Sequence, residues 1–144
     1  MRKVYLDADS LDLMLVPVHS EYEFVFIQTE GKCTAKIHLK PQSNAKFKVK
    51  IYIYAEGTSE VDCVCTLDVP KDVDGVETDI QIRSWPFDRS KIKARPEMFI
   101  ANSNIIANHG NALGALNKED TYYLASRGIS DAKELIKQSL INAG

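Results

Sequence analysis

Two periodicities divide the chain, and the point where one gives way to the other limits its fold more than any other feature. Between residues 46 and 54 every second residue is apolar: Phe47, Val49, Ile51 and Ile53 point one way, and Lys46, Lys48, Lys50, Tyr52 and Tyr54 the other. This is the period-two signature of a strand with one buried face. Val61, Cys63, Cys65 and Leu67 repeat it, as do Val76, Thr78, Ile80 and Ile82. Weaker strand signals lie over residues 24–27 and 35–39. Turn residues separate the runs: Glu30-Gly31, Pro41 to Asn44, Glu56 to Ser59, and Asp74-Gly75. Residues 1–95 therefore read mainly as strand, and no exact repeat or low-complexity segment stands out.

Near Asn117 the period changes to that of a helix. Asn117 suits an N-cap, Glu119 and Asp120 complement the helix dipole in the first turn, and Gly128 just after Arg127 suits a left-handed stop. Ser130 then caps a second helix, whose Ala132, Leu135, Ile136 and Leu140 share one face, with Ser139 marginal on it. Between strands and helices, residues 96–100 read as a strand and His109-Gly110 as a corner. The expectation is a mainly β body over residues 1–115, its strands running to about residue 110. A tail over 116–144 follows, with helices near 117–126 and 130–142, in the same compact unit.

At 144 residues the chain can bury a core without staples. Three cysteines, Cys33, Cys63 and Cys65, are too few and too uneven for a disulfide framework. No apolar run suits a signal peptide or a membrane span, so the expectation is a soluble, cytoplasmic protein. A net charge of −2 argues against non-specific nucleic-acid binding. Charge is nevertheless segregated: residues 31–55 hold six lysines and no acid, and residues 56–79 hold eight acids and one lysine. That pattern is either a polarised surface that orients a partner or a pair of solvated strand faces.

No catalytic signature emerges: there is no nucleophile elbow and no phosphate-binding glycine loop, so an enzyme is not expected. Cys63 and Cys65 point to one strand face, where two thiolates could hold a soft metal, with Cys33 adding a third if its strand stacks alongside. Val61 and Leu67 share that face, which favours small core residues instead. Lysines 46, 48 and 50 beside Tyr52 and Tyr54 could bind single strands, but an ordinary solvated face explains them and no nucleic acid is expected. His19 and His38 stand outside any motif and read as surface residues.

One ordered series of motifs goes further. Pro96, Met98 and Ile100 are followed by Asn108, His109, Gly110, Asn111 and Ala112, then Gly114 and Leu116. Tyr123, Leu124, Ser126, Arg127, Gly128, Ile129 and Ser130 come next, and the amphipathic stretch to Leu140 closes the series. Each piece is weak alone, but in this order the series resembles the C-terminal end of the SufB/SufD family, the scaffolds of iron-sulfur cluster assembly. The resemblance implies a short right-handed parallel β-helix with a two-helix tail; a β-sandwich with a helical tail is the alternative.

The resemblance is closer to SufD-like members, because Gly110 follows His109 where SufB-like members tend to have Glu. It implies that His109 serves cluster assembly, as a ligand to iron of a transient iron-sulfur cluster. It also implies that the C-terminal helices dock a SufC-type ATPase through Tyr122, Tyr123 and Arg127. A SufB-like paralogue or a second copy would complete a dimer, with no nucleic acid and no membrane involved. The functional cysteine of SufB-like members has no counterpart: no cysteine follows Cys65, and Gln81 stands near that place. Ala107 stands where SufD-like members often carry a cysteine. The other reading is a structural interaction module of the same fold that binds no iron.

Overall fold

The structure, a computed structural model, describes residues 1–114 and 132–142. Its strands are β1 (Arg2–Leu6), β2 (Ser10–Leu15), β3 (Glu21–Gln28), β4 (Lys32–Leu39), β5 (Lys46–Ala55), β6 (Glu60–Val69), β7 (Glu77–Pro86), β8 (Lys91–Ile100) and β9 (Ile106–Leu113); one helix, α1 (Ala132–Asn142), follows among the described residues. Odd-numbered strands form a five-stranded sheet in the order β1-β3-β5-β7-β9, and even-numbered strands a four-stranded sheet in the order β2-β4-β6-β8. Every pairing is parallel. Parallel neighbours need a crossover between them, and here each crossover is a strand of the opposite sheet. The chain is thus a parallel β-helix rather than a β-sandwich. Val4 pairs with Val25, Val25 with Tyr52, Tyr52 with Arg83 and Arg83 with Ala112, so successive coils take 21, 27, 31 and 29 residues.

The inward rows explain the alternation. Tyr22, Val49 and Ile80 stack in one column, and Phe24, Ile51 and Ile82 in the next. Ala35 stacks on Cys63, Ile37 on Cys65 and Leu39 on Leu67 in the facing sheet. All of these belong to one core, and none is more than 1% exposed. Burying each Ile or Leu contributes about 1.5–3 kcal/mol.

The corners carry a repeat that the sequence hides. Ser59 Oγ donates to Glu56 O at 2.7 Å and to Gln28 O at 3.1 Å. One coil later Ser90 Oγ donates to Phe87 O at 2.6 Å and to Ala55 O at 3.2 Å. Between them Gly57 and Asp88 adopt left-handed φ values of 67° and 57°, and Gly57 N donates to Asp88 Oδ2 at 2.9 Å. Glu56-Gly57-Thr58-Ser59 and Phe87-Asp88-Arg89-Ser90 are one corner, repeated with little identity because only the turn geometry and the serine are required.

The segregated charges are also a consequence of coil length. Because a coil spans close to thirty residues, the lysine block falls against the acidic block of the next coil. Lys32 lies 4.0 Å from Glu60 and Lys46 lies 3.8 Å from Glu77; Lys50 pairs backwards with Glu21 at 3.1 Å. The pattern is a ladder of exposed cross-strand pairs, each worth a fraction of a kcal/mol.

Two expectations need correction. His109 and Gly110 do not form a corner; both lie inside β9, which extends the strand body to Leu113. The second expected helix is present as α1, but Ser139 is exposed and Ile141 takes its place beside Ile136 and Leu140. The first expected helix, near 117–126, falls outside the described residues. No described helix is long and apolar enough to cross a membrane.

Candidate functional site

β9 is the last described strand of its sheet, and among the described strands it pairs with β7 alone. Its register places His109 against Ile80, at the end of the inward column Tyr22, Val49, Ile80. The side chain before it in that column is fully buried, whereas His109 is exposed, because no described strand stacks beyond it. Asn111 ends the neighbouring column above Ile82, and its Nδ2 donates to Ala94 O of β8 at 2.5 Å, joining the two sheets across the open end. A cleft of about 220 Å³ opens beside it, lined by Ser84, Ile92, Ala94, Asn111, Ala112 and Leu113. Phe99, Ile106 and Leu113 stand exposed around this end. The arrangement offers one imidazole at the rim of an apolar, partly open core.

Gly110 of β9 and Gly114 just after it have local causes. A Cβ on Gly110 would run into the side-chain amide of Gln81, its partner on β7, and a Cβ on Gly114 would overlap the Trp85 indole. Gly110 is therefore explained by a close neighbour on the outward face rather than by a turn. Gln81 sits directly beside Gly110 and donates to Asp79 Oδ1 at 2.7 Å.

The three cysteines are core residues. β4 does stack beside β6, but Cys33, Cys63 and Cys65 all face inward and are at most 1% exposed. Burial pushes all three thiols up, Cys65 to about 12. Cys63 is raised further by Cys65, Cys33 and Asp62 nearby. Such thiols are poor nucleophiles and poor metal ligands, since both roles need the thiolate. Among the described residues no group of three or more His, Cys, Asp or Glu is placed to hold a metal ion. His109 thus belongs to no such group among the described residues.

The remaining candidates divide. Tyr122, Tyr123 and Arg127 lie outside the described residues. Tyr54 is buried beneath α1 and Lys50 is paired, so the lysine-tyrosine face of β5 is not a free binding surface. His38 Nε2 lies 3.3 Å from Asp12 Oδ1 on the outer face of the even-numbered sheet, and His19 packs edge-on against Tyr22.

A family model described as SUF system FeS cluster assembly, SufBD core domain, matches residues 28–140. No curated protein matches the chain. The family match runs from the end of β3 through β9 and into α1, across the coils that build the core and the strand that carries His109. The chain belongs to the SufBD core-domain family of the SUF iron-sulfur cluster assembly system.

Proposed function

We propose that the chain is a SufD-like scaffold subunit of a cytoplasmic iron-sulfur cluster assembly complex. It performs no chemistry of its own; a SufC-type ATPase, docked at the C-terminal helices, supplies ATP hydrolysis. The observation that carries the reading is His109: a donor in the family's motif series, exposed on an inward row of the last described strand. An imidazole binds iron through a neutral ring nitrogen. Iron and sulfide are cargo here, and His109 alone cannot hold a cluster. The remaining ligands come from a SufB-like paralogue, or from a second copy, facing the same open end. The exposed apolar residues around that end, Phe99, Ile106 and Leu113, suit such an interface.

A second reading keeps the fold and the partners but binds no iron. It is favoured by the cysteines, all buried and none later than Cys65. Anaerobic incubation of the chain with ferrous iron and sulfide, together with the ATPase and a SufB-like chain, separates the two. The scaffold reading expects visible charge-transfer absorption that co-elutes with this chain. The structural reading expects a complex of the same size in which the absorption is unchanged when this chain is left out.

A further inference from the structure

Val25, Ile27 and Tyr54 lie on the outward rows of the five-stranded sheet, yet none is more than 2% exposed. They are covered by Ile136 and Leu140 of α1, with Tyr52, Trp85, Phe87 and Ile141 at the margin. Polar contacts from three different coils hold the helix there. Arg2 on β1 donates to the carbonyl of Leu140, supplying the cation that the last turn of α1 lacks. Lys137 Nζ lies 3.2 Å from Glu56 Oε1, and Lys133 Nζ lies 3.2 Å from Asp88 Oδ1. The hydrogen bond from Gly57, and then Lys133, hold the Asp88 carboxyl below the usual carboxylate range.

The attachment is small compared with the body. Helical stability in proteins comes mostly from packing an apolar face, and α1 packs Ile136 and Leu140 on the sheet. Its two buried anchors compare with the continuous core of the coils, and elements with few buried apolar contacts open at lower free energy than the core. The outward surface of the docked helix is polar: Gln138 donates to Glu134 at 3.1 Å and Asn142 to Gln138 at 3.2 Å. A partner that meets docked α1 meets this ladder; the apolar stripe is reachable only when the helix leaves the sheet.

We propose that α1 is a releasable strap, closed on its own sheet by the Glu56 and Asp88 ion pairs, and that the ATPase takes the same apolar stripe when the strap opens. The partner's identity rests on the reading given above; the strap does not. Docking is then weakened by the fraction of molecules whose strap is closed.

Hydrogen exchange on the full chain tests this, with β5 amides as the internal reference. The variant Glu56→Gln with Asp88→Asn removes both ion pairs from the sheet side, leaves α1 unchanged, and keeps at position 88 a residue that tolerates positive φ. In the unmodified protein α1 should exchange at least about tenfold faster than β5. In the variant α1 should quicken several-fold further with β5 unchanged, and ATPase affinity should rise by the same factor. If the variant disturbs β5, raising ionic strength on the unmodified chain weakens the same exposed pairs and should quicken α1 alone. Exchange of α1 in step with β5 overturns the strap. Opening of α1 with no gain in affinity overturns the coupling. Absence of ATPase binding by either protein while α1 opens separately removes the docking reading, and the coupling with it.

Discussion

The middle coils and the two ends of the solenoid use the same inward rows for different purposes. Lys3, Phe24, Ile51, Ile82 and Asn111 form one continuous column, polar at both ends and apolar between. The adjacent column runs Tyr22, Val49, Ile80, His109. Where a coil has a neighbour on each side, the inward side chain must be apolar and close-packed. Where no further described strand stacks, the same position is exposed and the requirement lapses. An inward charge at a sheet edge also discourages unwanted strand addition, which suits Lys3 on β1. At the other end the released position is His109. The comparison teaches that a polar residue on an inward row of this fold needs no special loop, only a position beyond which no described strand stacks.

Predictions that test this contrast begin with the thiols. Cys65, raised by burial from 9.0 to about 12, has about a thousandfold less thiolate at neutral pH than a free cysteine. All three cysteines should resist a thiol-labelling reagent until the protein is unfolded; rapid labelling of any one in the native state would break the claim that the middle coils are closed. The raised value favours folding below pH 9.0, and this advantage is lost as pH climbs toward about 12, so urea midpoints should fall across that window. Next, Ile51→Ala should cost about 2–5 kcal/mol in urea unfolding, and His109→Ala, on an exposed row, within about 0.5 kcal/mol. Comparable losses would place His109 in the core. Gly110 and Gly114 give a smaller contrast. Gly114→Ala forces the partly buried Trp85 ring to move and should cost about 1–3 kcal/mol. Gly110→Ala meets only the flexible amide end of Gln81, whose exposed hydrogen bond to Asp79 yields easily, and should stay within about 0.5 kcal/mol.

The clean alternation of β5, β6 and β7 made the central coils legible in the sequence, because residues buried on one face must alternate. β1 and β2 were not individually legible: Tyr5, Leu11 and Leu13 share their rows with Lys3 and with exposed flanks, and a terminal coil is covered on one side only. The same relaxation makes β9 deceptive. His109, Gly110 and Asn111 look like a turn because turns and uncovered strand positions both accept polar and small residues. The corner repeat escaped notice since Glu56-Gly57-Thr58-Ser59 and Phe87-Asp88-Arg89-Ser90 share a conformation but only one residue, the serine. The lysine and acid blocks were visible, but their meaning depends on coil length, which the sequence does not state. For the site, the motif series singled out His109; its place at the end of a buried column, and the cause of Gly110 in Gln81, required the register.

The central claim is that His109 is a chemical rather than a structural residue at the open end of this solenoid. The direct test is one experiment on the unmodified chain, His109→Ala and His109→Asn: anaerobic cluster assembly with iron, sulfide and the partner proteins, read by visible absorption, alongside urea unfolding of the same samples. The account predicts unfolding midpoints that coincide for all three, with the charge-transfer absorption lost in both variants. Full absorption in stable His109→Ala protein would contradict it, as would absorption lost only in step with stability.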